Sequence, residues 1–229
     1  MSLRQTVSEV MKQIASTVNQ EATAPTIDGD EYNLWLQYLN RAQQEWSQAY
    51  DWESTRVHYW PTVTGVSTAS ITLPFTFKKL AGPVKLFGNG KDKPDIYSYA
   101  IDEDDEMYGS QDLFVELTGD VSTGKTLVFN PRSLSSGASL EIEMFAAPST
   151  LSGASQIVSM EDPQFLIDRT IAFIFEARSD PRFQIEETKA RERLLTMIDN
   201  SNDEKFSSYA ATSYIPSTFS RSGFRVGRD

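Results

Sequence analysis

The stretch GDVSTGKTLVFNP, residues 119 to 131, decides how the middle of this chain is read. Its first eight letters satisfy G-x-x-x-x-G-K-[ST], the loop that cradles phosphate with backbone N–H groups while a lysine and a hydroxyl reach the terminal phosphate and its magnesium. That chemistry needs a strand before the loop and a helix directly after it, because the helix N-terminus supplies the unpaired N–H groups and the dipole. DLFVEL, residues 112 to 117, suits the strand. After Thr126, however, Leu127, Val128 and Phe129 suit a second strand, and Asn130-Pro131 would stop a helix before its first turn. The order predicts a hairpin with Lys125 at the edge of its tip. A nucleotide hydrolase using Lys125 and Thr126 is the alternative that this order disfavours.

Outward from the hairpin the same grammar continues. TRVHYW, SITL, VKLFG, TLVF and SLEIEMF are short, rich in β-branched and aromatic residues, and separated by Gly, Pro, Asn and Ser clusters, as in antiparallel sheets. GNG at 88 to 90 is a tight-turn signal, and Pro74, Pro83 and Pro94 mark strand ends because proline cannot donate to a ladder. The β region therefore spans residues 54–156 and closes with APSTLSGASQ, residues 147 to 156, which reads as a linker.

Both flanks have helical periodicity. Leu3, Val7, Val10, Met11, Ile14 and Val18 form one apolar stripe. After TAPT, Asp28 and Glu31 have capping-box spacing, and Trp35, Leu39, Ala42, Trp46 and Ala49 form an aromatic-rich seam that Tyr50 and Trp52 extend. Beyond the β region, Ser159 with Asp162 resembles a second capping box and Pro163 suits a first turn. Leu166, Ile167, Ile171, Ile174 and Phe175 share a face. Asp180-Pro181 ends that helix and starts another, whose apolar side is Ala190, Leu194, Met197 and Ile198. The fold expected is α+β: a four-helix body from residues 1–53 and 157–202, an inserted antiparallel β domain, and an extended C-terminal arm at 203–229.

The 229 residues carry a net charge of -11, which opposes attraction to nucleic acid or anionic lipid. With no cysteine and one histidine, His58, thiolate or histidine-cluster metal sites are excluded. His58, in a strand and without a nucleophile nearby in sequence, reads as a packing or hydrogen-bonding residue. The run DEDDE at 102 to 106 lacks the alternation and the turn glycine of a calcium loop and reads as a solvated acidic loop or short helix. MSLRQTVSEVMKQIASTV lacks the apolar core of a signal peptide, and FLIDRTIAFIF is interrupted by Asp168 and Arg169, so a soluble protein without a membrane span is expected. No catalytic, cofactor or metal residues emerge, and a non-enzyme is expected.

The C-terminal arm has neither helical nor strand period. Tyr209, Tyr214, Phe219 and Phe224 recur every five residues, and from residue 205 onward Lys205, Arg221, Arg225 and Arg228 stand against Asp229 alone. A segment with spaced aromatics and no core of its own suits docking on a partner.

YLNRAQQEWSQAYDW, residues 38 to 52, and EDPQFLIDRTIAFIFEARSDPRFQIEETKARERLLTMI, residues 161 to 198, resemble the opening and closing helices of head-to-tail adaptor (connector, or gatekeeper-ring) proteins of tailed bacteriophages. The resemblance covers most of the chain through loose patterns. It implies a structural virion subunit at the neck, assembled in the host cytoplasm into a homo-oligomeric ring, commonly a dodecamer, between portal and tail proteins. DNA passes through its lumen without sequence-specific binding. It implies a portal-docking role for the arm, carried by Tyr209, Tyr214, Phe219, Arg221, Phe224, Arg225 and Arg228. A tail tube or tail-completion subunit is the alternative within the virion.

Overall fold

The apolar stripe of the first helix and the period change near Thr55 divide the chain where the computed structural model divides it. It describes residues 5–20, 23–27, 29–63, 70–88, 94–100, 113–120, 124–130, 134, 136–158, 160 and 162–212. Helices α1 (Val7–Val18), α2 (Asp30–Ala49), α3 (Gln164–Ala177) and α4 (Phe183–Thr212) flank strands β1 (Arg56–Tyr59), β2 (Ser70–Thr72), β3 (Phe77–Leu80), β4 (Val84–Phe87), β5 (Asp95–Ala100), β6 (Phe114–Thr118), β7 (Thr126–Asn130) and β8 (Ser139–Ala146). The α+β class with a helical body and an inserted sheet is therefore observed.

The helices bury the faces their spacing predicts. Val7, Val10, Met11, Ile14 and Val18 of α1 are buried, and a capping box that the sequence reading missed starts this helix: Thr6 Oγ1 accepts from Glu9 N at 3.3 Å, and Thr6 N donates to Glu9 Oε2 at 2.7 Å. Leu3 lies outside the described residues. Helix α2 is capped at Gly29, not through the Asp28–Glu31 box; Asp28 itself is outside the described residues. Its seam buries Trp35, Leu39, Ala42 and Trp46, but Ala49 is exposed, and Gln43 and Ser47 are buried instead because later segments cover that side of the last two turns.

Helix α3 is the centre of the body. Phe165, Leu166, Ile167, Ile171, Ala172, Phe173, Ile174 and Phe175 are all buried, so it is apolar nearly all round and not on one face only. Its N-cap is Pro163, one residue before the first turn expected for it, and Asp162 Oδ1 accepts from Gln164 N at 3.0 Å; Ser159 lies outside the described residues. It ends on left-handed Ser179 (φ 52°), with Ser179 N bonded to Glu176 O and Asp180 N to Phe175 O, satisfying the terminal carbonyls. Asp180 then accepts from Arg182 N and from its guanidinium, and these bonds hold its carboxyl below the usual range. Helix α4 is more exposed. Only Ala190 among its described side chains is buried, with Leu194, Met197 and Ile198 half-buried against the body.

Charged side chains tie the body together. Asp168, 8% exposed on α3, accepts from Gln164 Nε2 at 2.7 Å and from Arg193 Nε of α4 at 3.1 Å. Arg169 pairs with Glu45 of α2 at 2.7 Å and lies over the Phe173 ring, as does Arg41.

The strands form an eight-stranded sheet in the order β1-β8-β4-β5-β6-β7-β2, with β3 also pairing β8. Strands β3 and β4 meet β8 in succession, through Phe77↔Ala146 to Leu80↔Met144 and then Lys85↔Glu141 to Phe87↔Ser139. They act as one strand broken at Pro83. Pro74 and Pro94 likewise sit at strand ends, as expected. One pairing departs from the antiparallel expectation: β5 and β6 are parallel, in register Ser98↔Phe114. Residues 101–113 between them are long enough for the crossover that parallel strands need, and the DEDDE run falls within 101–112, outside the described residues.

Strand β2 ends one side of the sheet while β3 pairs near the other, and Leu73–Thr76 alone joins them. Leu73 N bonds Lys125 O beside β7, and Ala147 N bonds Thr76 O beside β8. The sheet therefore curls on itself and encloses Val84, Leu86, Tyr97, Val115, Leu127, Phe129, Leu140, Ile142 and Met144 in a core separate from the helical one. Strand β8 alternates as this requires, with Leu140, Ile142 and Met144 inward and Glu141 and Glu143 outward.

The expected linker at 147–156 is a strap built into the body. Val7 N and Ser8 N bond Gln156 O and Ala154 O at 2.9 Å each, and Leu151 is buried in the helical core. Asn40 of α2 reads the Leu151 backbone in both directions, accepting from its N–H at 2.7 Å and donating to its carbonyl at 2.9 Å.

Candidate functional site at the joint of helices and sheet

GDVSTGKT joins two paired antiparallel strands, with residues 121–123 outside the described residues. Strands β6 and β7 pair from Phe114↔Asn130 to Thr118↔Thr126, so the chain leaves the loop directly into a strand, and no helix follows Thr126. Gly119 (φ +86°) and Gly124 (φ +85°) supply the left-handed turns; a Cβ on Gly119 would clash with Gly124 O. Both glycines serve the tightness of the hairpin and leave no helix N-terminus to face a phosphate.

The hairpin tip meets the body at a cleft of about 440 Å³. Its floor comes from the C-terminal part of α2, through Gln44, Ser47 and Gln48. Its walls are Pro74, Phe75 and Phe77 on one side, Asp120, Gly124 and Lys125 on the hairpin side, and Ala147 with Pro148 where the strap begins. Lys125 Nζ lies 5.2 Å from the centroid of the Phe77 ring. Phe75, at the lip, is 89% exposed, the largest exposure among the large apolar side chains described.

Lys78 fixes the geometry. Its Nζ donates to Ser47 O at 2.6 Å, to Tyr50 O at 2.8 Å and to Asp51 Oδ1 at 3.0 Å, so a cation from β3 closes the free carbonyls at the C-terminus of α2. Lys79 donates to the other carboxylate oxygen of Asp51 at 2.9 Å. Burial alone would raise the Asp51 carboxyl, but the hydrogen bonds from Lys79 and Lys78 outweigh it and hold the group below its ordinary value. Sequence reading missed Lys78, Phe75 and Asp51, because nothing local in the sequence pairs the Lys78-Lys79 pair with a helix end.

A second cluster occupies the outer face of the sheet. His58 Nδ1 lies 3.0 Å from Glu141 Oε1 and Nε2 lies 3.5 Å from Glu143 Oε1, while Arg56 and Lys85 hold the same two carboxylates at 2.7 and 3.1 Å. The hydrogen bond from Arg56 keeps Glu143 below the usual carboxylate range. His58 thus takes the hydrogen-bonding role read from its strand. Trp60 and Phe87 pack beside it, with ring centroids 5.8 Å apart.

The sequence-based docking residues are not brought together among the described residues. Tyr209 lies on the α4 backbone, which continues through Thr212 into the stretch expected to be extended; Tyr214, Phe219, Arg221, Phe224, Arg225 and Arg228 lie outside the described residues. The helix runs on because residues 201–212 contain neither Gly nor Pro to break it, which the five-residue aromatic spacing concealed. Among the described residues no group of three His, Cys, Asp or Glu side chains is arranged to hold a metal, and no helix is long and apolar enough to cross a membrane. No protein-family model matches the chain, and no curated protein matches its sequence.

Proposed function

We propose that this chain is a structural subunit of a tailed-bacteriophage neck, a head-to-tail adaptor that assembles as a ring on the portal and continues the DNA channel toward the tail. The observation that carries the reading is architectural: a helical body made from both ends of the chain, a sheet inserted between α2 and α3, and a last helix that continues to Thr212. That order matches what the resemblance of residues 38–52 and 161–198 implies. The net charge of -11 supports it, since fixed negative charge around a lumen repels the phosphate backbone and lets DNA slide. The role is scaffolding and not catalysis, and the hairpin geometry of GDVSTGKT supports this because the loop offers no helix N-terminus to a phosphate. The residues after Thr212, with Tyr214, Phe219, Arg221, Phe224, Arg225 and Arg228, are the portal-docking arm, together with Tyr209 at the end of α4.

The test is to mix the purified chain with the portal of the same phage and measure mass and negative-stain images. A ring stacked on the portal is expected. Failure to form any stable complex, with a correctly folded chain, overturns the proposal.

A further inference from the structure

Strand β1 ends the path of the sheet, so one of its sides meets no other strand among the described residues, and Arg56, Val57, His58, Trp60 and Thr62 are exposed. The bonds that carry its pairing with β8 past Tyr59 show which backbone groups face that open side. Leu140 N donates to Pro61 O at 3.0 Å and Val63 N to Ala138 O at 2.8 Å, so residues 61 and 63 face β8 and Thr62, opposite Ser139, faces away. The register Arg56↔Phe145 to Tyr59↔Ile142 has the same phase, and direction alternates along an antiparallel strand, so Arg56, His58 and Trp60 also turn their backbone groups outward. The far side of β8 agrees: Glu143, opposite His58, gives its carbonyl to Ala81 N and not to β1. Among the described residues one outward donor is already used, Arg56 N, which bonds Glu53 O.

We propose that β1 pairs with β1 of a second copy of this chain, antiparallel about a twofold axis at Tyr59. In that register His58 exchanges both backbone bonds with the partner's Trp60, and the Arg56 carbonyl accepts from the partner's Thr62 N–H. Every open group from Arg56 to Thr62 then has a mate except the Thr62 carbonyl, whose counterpart is the Arg56 N–H already held by Glu53. Pro61 does not interrupt the new ladder, because its missing N–H lies on the β8 side. An axis at His58 would set Thr62 against Ser54, which lies in the helical turn Glu53–Thr55, and would set His58 against the partner's His58. The side chains favour the Tyr59 axis too. Val57 and Tyr59 meet the partner's Pro61 and the partner's Tyr59 on one face, and on the other the His58 ring meets the partner's Trp60, whose indole is 55% exposed in the single chain. An open edge strand is a template for pairing, and the fixed charge on this one, Arg56, is neutralised by Glu53 and Glu143, so no unpaired charge repels a copy. The contact is isologous, unlike the head-to-tail contacts that close a ring, and it does not rest on the adaptor reading.

Sedimentation velocity of the full-length chain alone, over a concentration series, should show a monomer–dimer equilibrium. His58→Pro removes the outward N–H while leaving the bonds to β8, and should raise the dimer dissociation constant about tenfold or more. Trp60→Lys keeps the backbone and strips the ring, and should raise it about fivefold or more; its result stands if circular dichroism shows that His58→Pro unfolds. The register has its own readout, since the chain contains no cysteine. His58→Cys chains mixed with Trp60→Cys chains should oxidise mainly to the mixed disulfide, because opposite Cα atoms in a bonded pair lie about 5.5 Å apart, within disulfide reach. A chain that stays monomeric throughout the series, a dimer indifferent to both substitutions, or disulfides that form mainly between like chains would each overturn the proposal.

Discussion

The helical body and the curled sheet solve the same problem, a buried core, with opposite use of the sequence. The sheet draws its core from one continuous stretch, Val63 to Met144, whereas the body joins residues from Val7 to Ala190 across the whole insertion. The insertion can begin and end where it does because β1 and β8 are paired, Arg56 opposite Phe145, so that α2 and the strap are delivered side by side. The body is therefore conditional on the sheet. Polar ties such as Asn40 on Leu151 and Arg193 on Asp168 fix segments of the body that are remote in sequence.

The strongest way to break this comparison is to empty the sheet core and watch the body. Phe129→Ala removes a fully buried ring and should cost about 3–5 kcal/mol. Because Trp35, Trp46 and Trp52 are buried in the body, tryptophan fluorescence during urea unfolding should report the loss as clearly as a sheet probe does. A fluorescence midpoint that stays put would show two independent units. Next in size is the hairpin: Gly119→Ala combines left-handed backbone with a clash against the Gly124 carbonyl and should cost about 3 kcal/mol, against about 1 kcal/mol for Gly124→Ala, where a Cβ meets nothing. Thermal melts of the pair give the difference directly.

The joint itself comes third. Lys78→Met leaves the α2 carbonyls without their cation and should cost about 2 kcal/mol, with little change in sheet content by circular dichroism. The joint and the outer-face cluster each carry a pH signature. Asp51 and Glu143 both have folded-state values below their unfolded ones, so the unfolded chain binds more protons in acid. Their contribution is complete above the unfolded carboxylate range and is lost as pH falls through the lower folded values. Stability should rise with pH across the acid range, and Asp51→Asn should flatten that slope in a denaturation series. The smallest effect is expected at Lys125→Ala, about 0.5–1 kcal/mol from its contact with Phe77. Nucleotide binding by equilibrium dialysis should be nil before and after this change; Lys125-dependent binding would restore the hydrolase alternative.

Some of this was legible along the chain. TRVHYW, SITL, VKLFG, DLFVEL, TLVF and SLEIEMF each fall on a strand, but FKKL at β3 and DIYSYA at β5 escaped notice. Two adjacent lysines mask the first, although Lys78 points to the α2 terminus and Lys79 to Asp51. The second follows the charged sequence KDKP and belongs to the parallel pair, whose partner lies beyond the acidic run. The candidate site was hardly legible at all, because its walls come from α2, the β2–β3 turn, the hairpin and the strap.

By itself the sequence determined the local conformations: the amphipathic helices from their stripes, the break at Asp180-Pro181, and the strand after GDVSTGKT from Leu127 to Asn130 before a proline. These follow from steric and periodic preferences that act within a few residues. Only the tertiary structure decided that β5 and β6 run parallel, that β3 and β4 share one edge of β8, that residues 147–158 strap the body, and that Lys78 closes α2. Such choices depend on which surfaces are buried against one another by residues far apart in the chain, as Asn40 and Leu151 are, and no local period encodes them.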